Sequence, residues 1–190
     1  MNIVEKAERC FLLLKFAIRL SKSNKERVKD MQVKKGFTKG RITRIHFMDF
    51  NKHYDLCVEN GVVTPAHFGK PVVFVYIKDF CVLKHMRLGK KLGKDPASGG
   101  MCEMSYSLMN AWASGDVSTH GEASTNDMLA FLDIFMDVMS MIPEDEMMKL
   151  VGPCDHDVPQ SQSAQAAGNY EGGKTEIRSK TMAPETQPSK

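Results

Sequence analysis

The dipeptide Asn60-Gly61 constrains the fold of this chain more than any other feature of its sequence. It stands between two short runs of strand-forming residues, YDLCV and VVT. Asn-Gly between such runs is typical of a tight β-hairpin, because both residues tolerate the positive φ angles that the turn requires. A further run over residues 72–83, VVFVYIKDFCVL, is rich in β-branched and aromatic residues. It indicates a central strand that is buried on both faces.

Helical patterns flank this strand-rich middle on both sides. Residues 3–21 carry apolar side chains at helical spacing, on a face so wide that little polar surface remains. Near the other end, Ser124 is a candidate N-cap for a helix that runs to residue 142, and Pro143 can begin a shorter helix over 144–151. We therefore expect an α+β fold: an N-terminal helix, a small antiparallel sheet of three to four strands, C-terminal helices and a disordered tail.

The segments between the sheet and the last helices are harder to assign. Residues 84–94, KHMRLGKKLGK, are a second basic stretch, within which 89–94 predicts a flexible cationic loop. Residues 95–100 predict a loop, residues 101–112 a short helix, and residues 115–121 a further loop. Residues 153–190 are rich in Ser, Gln, Gly, Pro and Ala, a composition that buries too little apolar surface to offset its ordering entropy. We expect one α+β domain over residues 1–152 and a disordered polar tail over 153–190.

Charge is distributed very unevenly along the chain. Residues 1–100 contain 21 Lys and Arg against 9 Asp and Glu, whereas residues 101–157 contain 1 against 11. A basic half of this kind indicates a surface that binds a polyanion, with nucleic acid the leading candidate and little base preference expected. The alternative is that the basic 1–100 and the acidic helical 101–152 neutralise each other.

Two basic stretches supply the candidate phosphate contacts, residues 22–44 and 84–94. The segment 89–94 has three residues between its glycines and Asp after its last Lys, so it does not match a nucleotide-binding P-loop. The predicted nucleic-acid-binding residues are Lys22, Lys25, Arg27, Lys29, Lys34, Lys35, Lys39, Arg41, Arg44, Lys84, Arg87, Lys90, Lys91 and Lys94.

Anionic lipid would satisfy the same charges as nucleic acid. The first helix has a broad apolar face, and the basic stretch 22–44 follows it directly, as in proteins that lie on a membrane surface. The apolar run 11–18 contains Lys15 and is too short to cross a bilayer, and no signal-peptide cleavage site follows it. A peripheral membrane or matrix-like assembly protein is therefore the second hypothesis.

The acidic half is rich in methionine, which adapts to irregular partner surfaces. The narrow polar stripe on the helix after residue 124 would leave much apolar area exposed on a monomer, so we expect a homo-oligomer. The predicted interface residues are Leu132, Phe135, Met136 and Met139. The alternative is that the first helix of the same chain covers this face.

No residue pattern indicates catalysis, a cofactor or a small-molecule substrate. Five cysteines without a CxxC pair predict reduced thiols in an intracellular protein, cytoplasmic or nuclear. A metal site among the ligand-type residues 46–67 is not expected, because they lack ligand spacing, and Cys57 near His53 is more simply a core residue. The whole pattern predicts a non-enzymatic protein, with the layout of a small viral structural or accessory protein.

Overall fold

The computed structural model describes residues 1–37, 41–121, 125–154 and 157. The chain divides into two units, Met1–Asp157 and Val158–Lys190. The second unit lies outside the described residues, so the predicted disordered tail is not tested there. The predicted contact at Lys39 and the predicted N-cap at Ser124 also lie outside the described residues and are not tested. The first unit extends past the predicted domain boundary at residue 152.

The first unit has helices at both ends and strands between them. The elements, in chain order, are α1 (Ile3–Ser23), α2 (Lys25–Lys34), β1 (Thr43–Phe47), β2 (Lys52–Glu59), β3 (Val62–Pro65), β4 (Val73–Ile77), α3 (Cys81–Leu88), β5 (Lys90–Lys94), β6 (Met101–Ser105), α4 (Leu108–Ala113), β7 (Val117–Gly121), α5 (Thr125–Ser140) and α6 (Glu144–Val151). The α+β class, the N-terminal helix and the C-terminal helices are confirmed.

Five strands form one mixed sheet in the order β3-β2-β1-β4-β7. Neighbouring strands are antiparallel except β1 and β4, which run parallel with Ile45 opposite Val75. The sheet is therefore larger than the three to four antiparallel strands expected. The additional strand is β7, which pairs with β4 across a long connection and places Val117 opposite Ile77.

The hairpin at Asn60-Gly61 is present as predicted, between β2 and β3. Both turn residues have positive φ, 50° at Asn60 and 78° at Gly61. A Cβ at Gly61 would lie 2.3 Å from the backbone oxygen of Lys25, at the start of α2. Position 61 therefore requires glycine for two reasons: its φ is positive, and α2 packs too close to leave room for a side chain.

The core lies between one face of the sheet and the helices packed on it. Leu13 and Leu14 of α1 lie in the same buried cluster as Ile45 of β1 and Val75 of β4. The alternation of buried and half-buried residues along β1 and β4 shows that only one sheet face enters this core. The run over 72–83 therefore does not form a strand buried on both faces.

The apolar face of α5 also belongs to this core, which corrects the predicted protein interface. Leu132, Phe135 and Met139 are 3%, 1% and 0% exposed, and Met136 is half-buried. Helices α1 and α2 and strand β4 contact α5 and cover its apolar side. The intramolecular alternative left open by the sequence is the one that the structure shows for these side chains.

Three further segments differ from the sequence prediction. After β4 the chain turns at Asp79, whose carboxylate accepts the Cys81 N–H at 2.7 Å, and α3 begins where a strand was expected. Gly89 ends α3 in the left-handed region. The predicted cationic loop is mostly β5, which pairs with β6 in a separate two-stranded sheet. Residues 101–112 are therefore a strand followed by the short α4, and residues 117–121 form β7 rather than a loop.

The segment after α6 is attached to α3 by a disulfide and an ion pair. Cys81 and Cys154 are bonded, 73 residues apart in sequence, whereas Cys10, Cys57 and Cys102 are free. The expectation that all thiols are reduced is therefore corrected. A CxxC spacing can reveal only cysteines that are close in sequence, whereas Cys81 and Cys154 come together only in the folded chain.

Candidate functional site

The acidic residues of α5 neutralise three cations that lie in α2 or shortly after it. Arg27 donates two hydrogen bonds to Asp137, at 2.5 and 3.1 Å, and Lys35 donates to Asp133 at 2.6 Å. Arg41 is paired with Asp127 in the same way. Partly exposed pairs of this kind contribute about 0.2 to 1 kcal/mol each to stability. Their main effect is on charge, because three predicted phosphate-binding cations already have carboxylate partners.

Lys84, one of the predicted phosphate-binding residues, is buried completely. Its side chain is 0% exposed and its Nζ donates to the Gly152 carbonyl oxygen at 2.5 Å and to Asp157 at 2.8 Å. Arg87 donates twice to the Ile142 carbonyl oxygen, at 2.8 and 3.0 Å. Lys84 therefore holds the segment after α6 on α3, whereas Arg87 joins α3 to the turn between α5 and α6. For Lys84 the prediction of a surface phosphate contact is wrong, because no ligand reaches its ammonium group.

Three more of the predicted cations are bound to acidic side chains. Arg44 and Asp55 form a two-point pair across β1 and β2, with both contacts at 2.8 Å. Hydrogen bonds from Arg44 lower the pKa of Asp55 below its ordinary value, against the opposing effect of burial. Lys90 pairs with Glu103 across the small sheet, and Lys91 of the same sheet pairs with Asp116, just before β7.

The remaining predicted cations are exposed: Lys22, Lys25, Lys29, Lys34 and Lys94. No side-chain partner is recorded for them within the described part of the chain. Two cations of α1 that were not predicted, Lys15 and Arg19, are exposed in the same way and lie over the rings of Phe11 and Phe16, at 4.9 and 4.8 Å from the ring centres. The unneutralised positive charge is therefore concentrated on α1 and the solvent face of α2.

A groove of about 730 Å³ runs between α1 and the β2–β3 edge of the sheet. We call it the α1–β3 groove. The α1 residues that line the groove are three or four positions apart in sequence, so apolar and cationic side chains alternate along one edge of the helix. The apolar lining is Phe11, Leu14, Ile18, Tyr54, Leu56, Pro65 and Ala66, and the cations are Lys15, Arg19 and Lys22. Asp55, the carboxylate in the lining, is engaged by Arg44.

The groove continues into a second depression of about 570 Å³, with which it shares Lys22, Pro65 and Ala66. This depression ends at Phe68, which is 94% exposed. Phe11, at the opposite end, is 50% exposed. This depression also contains the polar side chains of Glu59, Thr64 and His67, so the apolar surface is mainly that of the α1–β3 groove. An apolar groove that is bordered by cations and has exposed aromatic rings near its ends is unusual on a protein that has no partner.

The outer face of the sheet carries a second cluster, made of aromatic and imidazole rings. The strand register places His53, His46 and Tyr76 side by side on β2, β1 and β4. Ring centres are 6.5 Å apart for His46 and His53, 5.7 Å for His46 and Tyr76, and 5.6 Å for Tyr76 and His120. Tyr76 and its neighbour Phe74 are half-buried and lie outside the core cluster.

Sequence reasoning missed both surfaces for identifiable reasons. Lys15 was treated only as an interruption of an apolar run, although Phe11, Lys15, Ile18 and Lys22 share one edge of a helix. His46 and His53 are an odd number of residues apart, so on one continuous strand they would lie on opposite faces. The turn over residues 48–51 reverses the chain and pairs them directly. The residue spacing is consistent with both surfaces. It could not predict them, because the sequence alone does not show where the turn lies or which edge of α1 faces the groove.

None of the helices in the described residues is long and apolar enough to cross a membrane. No protein-family model matches the chain, and no curated protein sequence matches it either. Among solved structures the chain is similar to one described as a UbiJ-SCP2 ubiquinone synthesis protein, with 12% identity and a TM-score of 0.37. That alignment covers 62% of this chain and 94% of the other. A likeness this loose does not indicate a shared function.

Proposed function

We propose that this protein is a non-enzymatic peripheral membrane protein that binds an anionic phospholipid surface through the α1–β3 groove. The observation that carries the proposal is the position of the unneutralised cations Lys15, Arg19 and Lys22. They border the mainly apolar α1–β3 groove, which has the exposed ring of Phe11 at one end and, at the other, adjoins the more polar depression that ends at the exposed ring of Phe68. Cations beside exposed aromatic side chains are the combination that binds the headgroup and acyl boundary of a bilayer.

The energies support reversible binding. A Lys or Arg close to an anionic membrane surface contributes about 1 kcal/mol, so Lys15, Arg19 and Lys22 together contribute about 3 kcal/mol. Transfer of the Phe68 ring out of water adds about 2 kcal/mol. The sum, about 5 kcal/mol, is comparable to the marginal membrane binding of one myristoyl chain. The groove volume also suits part of an acyl chain, since ligand clefts measure roughly 300 to 1,000 Å³.

Nucleic-acid binding is the second candidate, and the outer sheet face favours it. Bases stack on rings presented by a sheet, and Tyr76, His46 and His120 form such a row. This proposal is the weaker one because few unpaired cations among the described residues lie near these rings to bind phosphates. Arg44 lies on the same face but is paired with Asp55, and the exposed Lys25, Lys29 and Lys34 are on α2.

Self-association and location also belong to this proposal. A homo-oligomer would need a surface other than Leu132, Phe135 and Met139, because those side chains are buried within the unit. An intracellular location, cytoplasmic or nuclear, would place the Cys81–Cys154 disulfide among cellular reductants that keep thiols reduced. The viral layout suggested by the sequence stays a prediction.

Vesicle co-sedimentation over a salt series tests the lipid proposal, with vesicles of phosphatidylserine and phosphatidylcholine compared with phosphatidylcholine alone. We expect binding to the anionic vesicles, weakened by salt because the cations are exposed. The Lys15→Glu/Lys22→Glu variant should lose binding. The matched control is Lys29→Glu/Lys34→Glu, which changes the same charge on α2, away from the groove, and should bind more strongly than the groove variant.

Three results would count against the lipid proposal. Equal binding to neutral vesicles would remove the electrostatic argument, and equal losses in both charge variants would remove the groove. Binding of single-stranded RNA in a filter assay, without vesicle binding, would favour the outer sheet face instead. In that case Tyr76→Ala should weaken RNA binding, because alanine removes the stacking ring.

A further inference from the structure

Four side chains of metal-binding type meet where the C-terminal segment crosses α3. Cys81 and His85 are one helical turn apart on α3 and lie on the same side of the helix. The ligand atoms of His85, Cys154 and Asp157 all lie within 4.8 Å of one another. Cys81 joins this group because its sulfur is bonded to that of Cys154. Three ligand atoms therefore lie in one cluster, and the second sulfur is adjacent to it through the disulfide.

We propose that reduction of the Cys81–Cys154 disulfide creates a site for a divalent zinc ion. The ligands are the two thiolates, the imidazole of His85 and the carboxylate of Asp157. Zinc takes four such ligands in a tetrahedral arrangement, with sulfur and nitrogen donors preferred. Neither Cys-x-x-x-His nor Cys-x-x-Asp is informative alone, and the two halves lie 73 residues apart in sequence. The fold is what assembles the set.

The chemistry is a two-electron reduction followed by metal binding. A cellular thiol such as glutathione supplies the electrons: two molecules are oxidised to one disulfide, the Cys81–Cys154 bond breaks, and each cysteine sulfur gains a proton. Zinc then displaces those two protons as it binds the thiolates. The disulfide and the zinc complex are therefore alternative ways of joining the same two segments.

The surroundings suit a complex with net negative charge. One Zn²⁺ with two thiolates and one carboxylate sums to −1, and the buried ammonium of Lys84 lies 2.7 Å from Asp157. Lys84 balances that charge and orients the carboxylate, the role that outer hydrogen-bond partners play around metal ligands. Partial burial by itself would raise the pKa of Asp157. Contacts with Lys84, the Cys154 backbone N–H and His85 outweigh this effect and hold the pKa below its ordinary value, so the carboxylate is ionised.

A cavity of about 370 Å³ gives access to the cluster from solvent. Cys81, His85 and Cys154 form part of its lining. Lysine side chains also line it, and each is paired: Lys6 with Asp49 and Asp79, Lys78 with Asp116, and Lys91 with Asp116. A reductant and a hydrated metal ion can therefore approach without meeting uncompensated positive charge.

Cobalt substitution in the full-length chain tests the proposal, because Co²⁺ bound to thiolate gives a charge-transfer absorption that zinc then abolishes. We expect reduced protein to bind one equivalent of Co²⁺ with this absorption, and the disulfide-bonded protein to show none. Cys154→Ser should weaken the absorption, because it removes one of the two thiolates, whereas Cys102→Ser, which changes an exposed free cysteine, should retain it in full. Asp157→Asn should keep the thiolate band but release Co²⁺ at a lower concentration of competing chelator.

Thermal unfolding provides a second measurement, which is independent of the cobalt absorption. Zinc added to the reduced protein should raise its melting temperature, since it binds the folded state selectively, and should leave the disulfide-bonded protein unchanged. The proposal is overturned if reduced wild-type protein shows no thiolate–cobalt absorption. It is equally overturned if Cys154→Ser, shown to be folded by circular dichroism, retains the absorption in full.

Discussion

Removal of the Cys81–Cys154 disulfide should cost this protein several kilocalories per mole. The two cysteines are 73 residues apart, and a cross-link that closes a loop of this length lowers the entropy of the unfolded chain by roughly 15 cal/mol/K. At 25 °C this is about 4 kcal/mol of stability. For a unit of this size the melting temperature should fall by about 8 to 16 °C. The reduced protein should remain folded, because Lys84 still binds Gly152 and Asp157.

Two measurements test this reasoning. Thiol titration of the denatured, unreduced chain should find three reactive cysteines, and five after reduction. Urea unfolding should then give a lower midpoint for reduced than for oxidised protein, while a Cys81→Ala/Cys154→Ala variant should match the reduced protein and not respond to reductant. Five reactive thiols before reduction, or equal midpoints in the two states, would refute the argument.

Three further predictions concern the core and the C-terminal segment. Phe135→Asp should prevent folding, seen as loss of the native circular dichroism spectrum, because it places an unpaired charge beside the stacked ring of Phe131. A chain that ends after Asp157 should melt within a few degrees of the full chain, whereas one that ends after Pro153 should lose about 4 kcal/mol with the disulfide. Asp157→Asn should lower the urea midpoint at pH 7. Because the folded-state pKa of Asp157 is below its ordinary value, this difference should shrink as pH falls below about 4 and vanish once the carboxylate is protonated.

Local signals in the sequence were sufficient for the class of fold. The Asn60-Gly61 turn has one favoured structure, and the apolar periodicity of α1 and α5 requires helices whatever surrounds them. The end of β4 was not predictable in this way, because the apolar run continues through Cys81, Val82 and Leu83. There the hydrogen bond that the Cys81 N–H donates to the Asp79 carboxylate turns the chain. Cys81, Val82 and Leu83 are buried, and such side chains can be buried equally well by a helix or by a strand.

The candidate sites depended on pairings that no local pattern encodes. The sequence shows the charge imbalance correctly. Whether the basic residues stay available to a ligand depends on which helices pack against each other in the folded chain. Asp127, Asp133 and Asp137 lie at helical spacing along α5 and meet cations of the α2 region, so a large part of the basic surface is neutralised. The cysteine pair shows the same limit, since spacing rules detect only ligands that are close in sequence.

The packing of α1 against α6 has a consequence for synthesis on the ribosome. Arg9 donates to the Lys149 carbonyl oxygen at 3.0 Å, across 140 residues of sequence. At about 5 to 20 residues per second, roughly 7 to 28 s separate the translation of these two residues. Strand β3 can cover one flank of α1 early, but the flank that faces α6 stays uncovered for that whole interval. The nascent chain therefore presents an apolar helix to chaperones until α6 emerges.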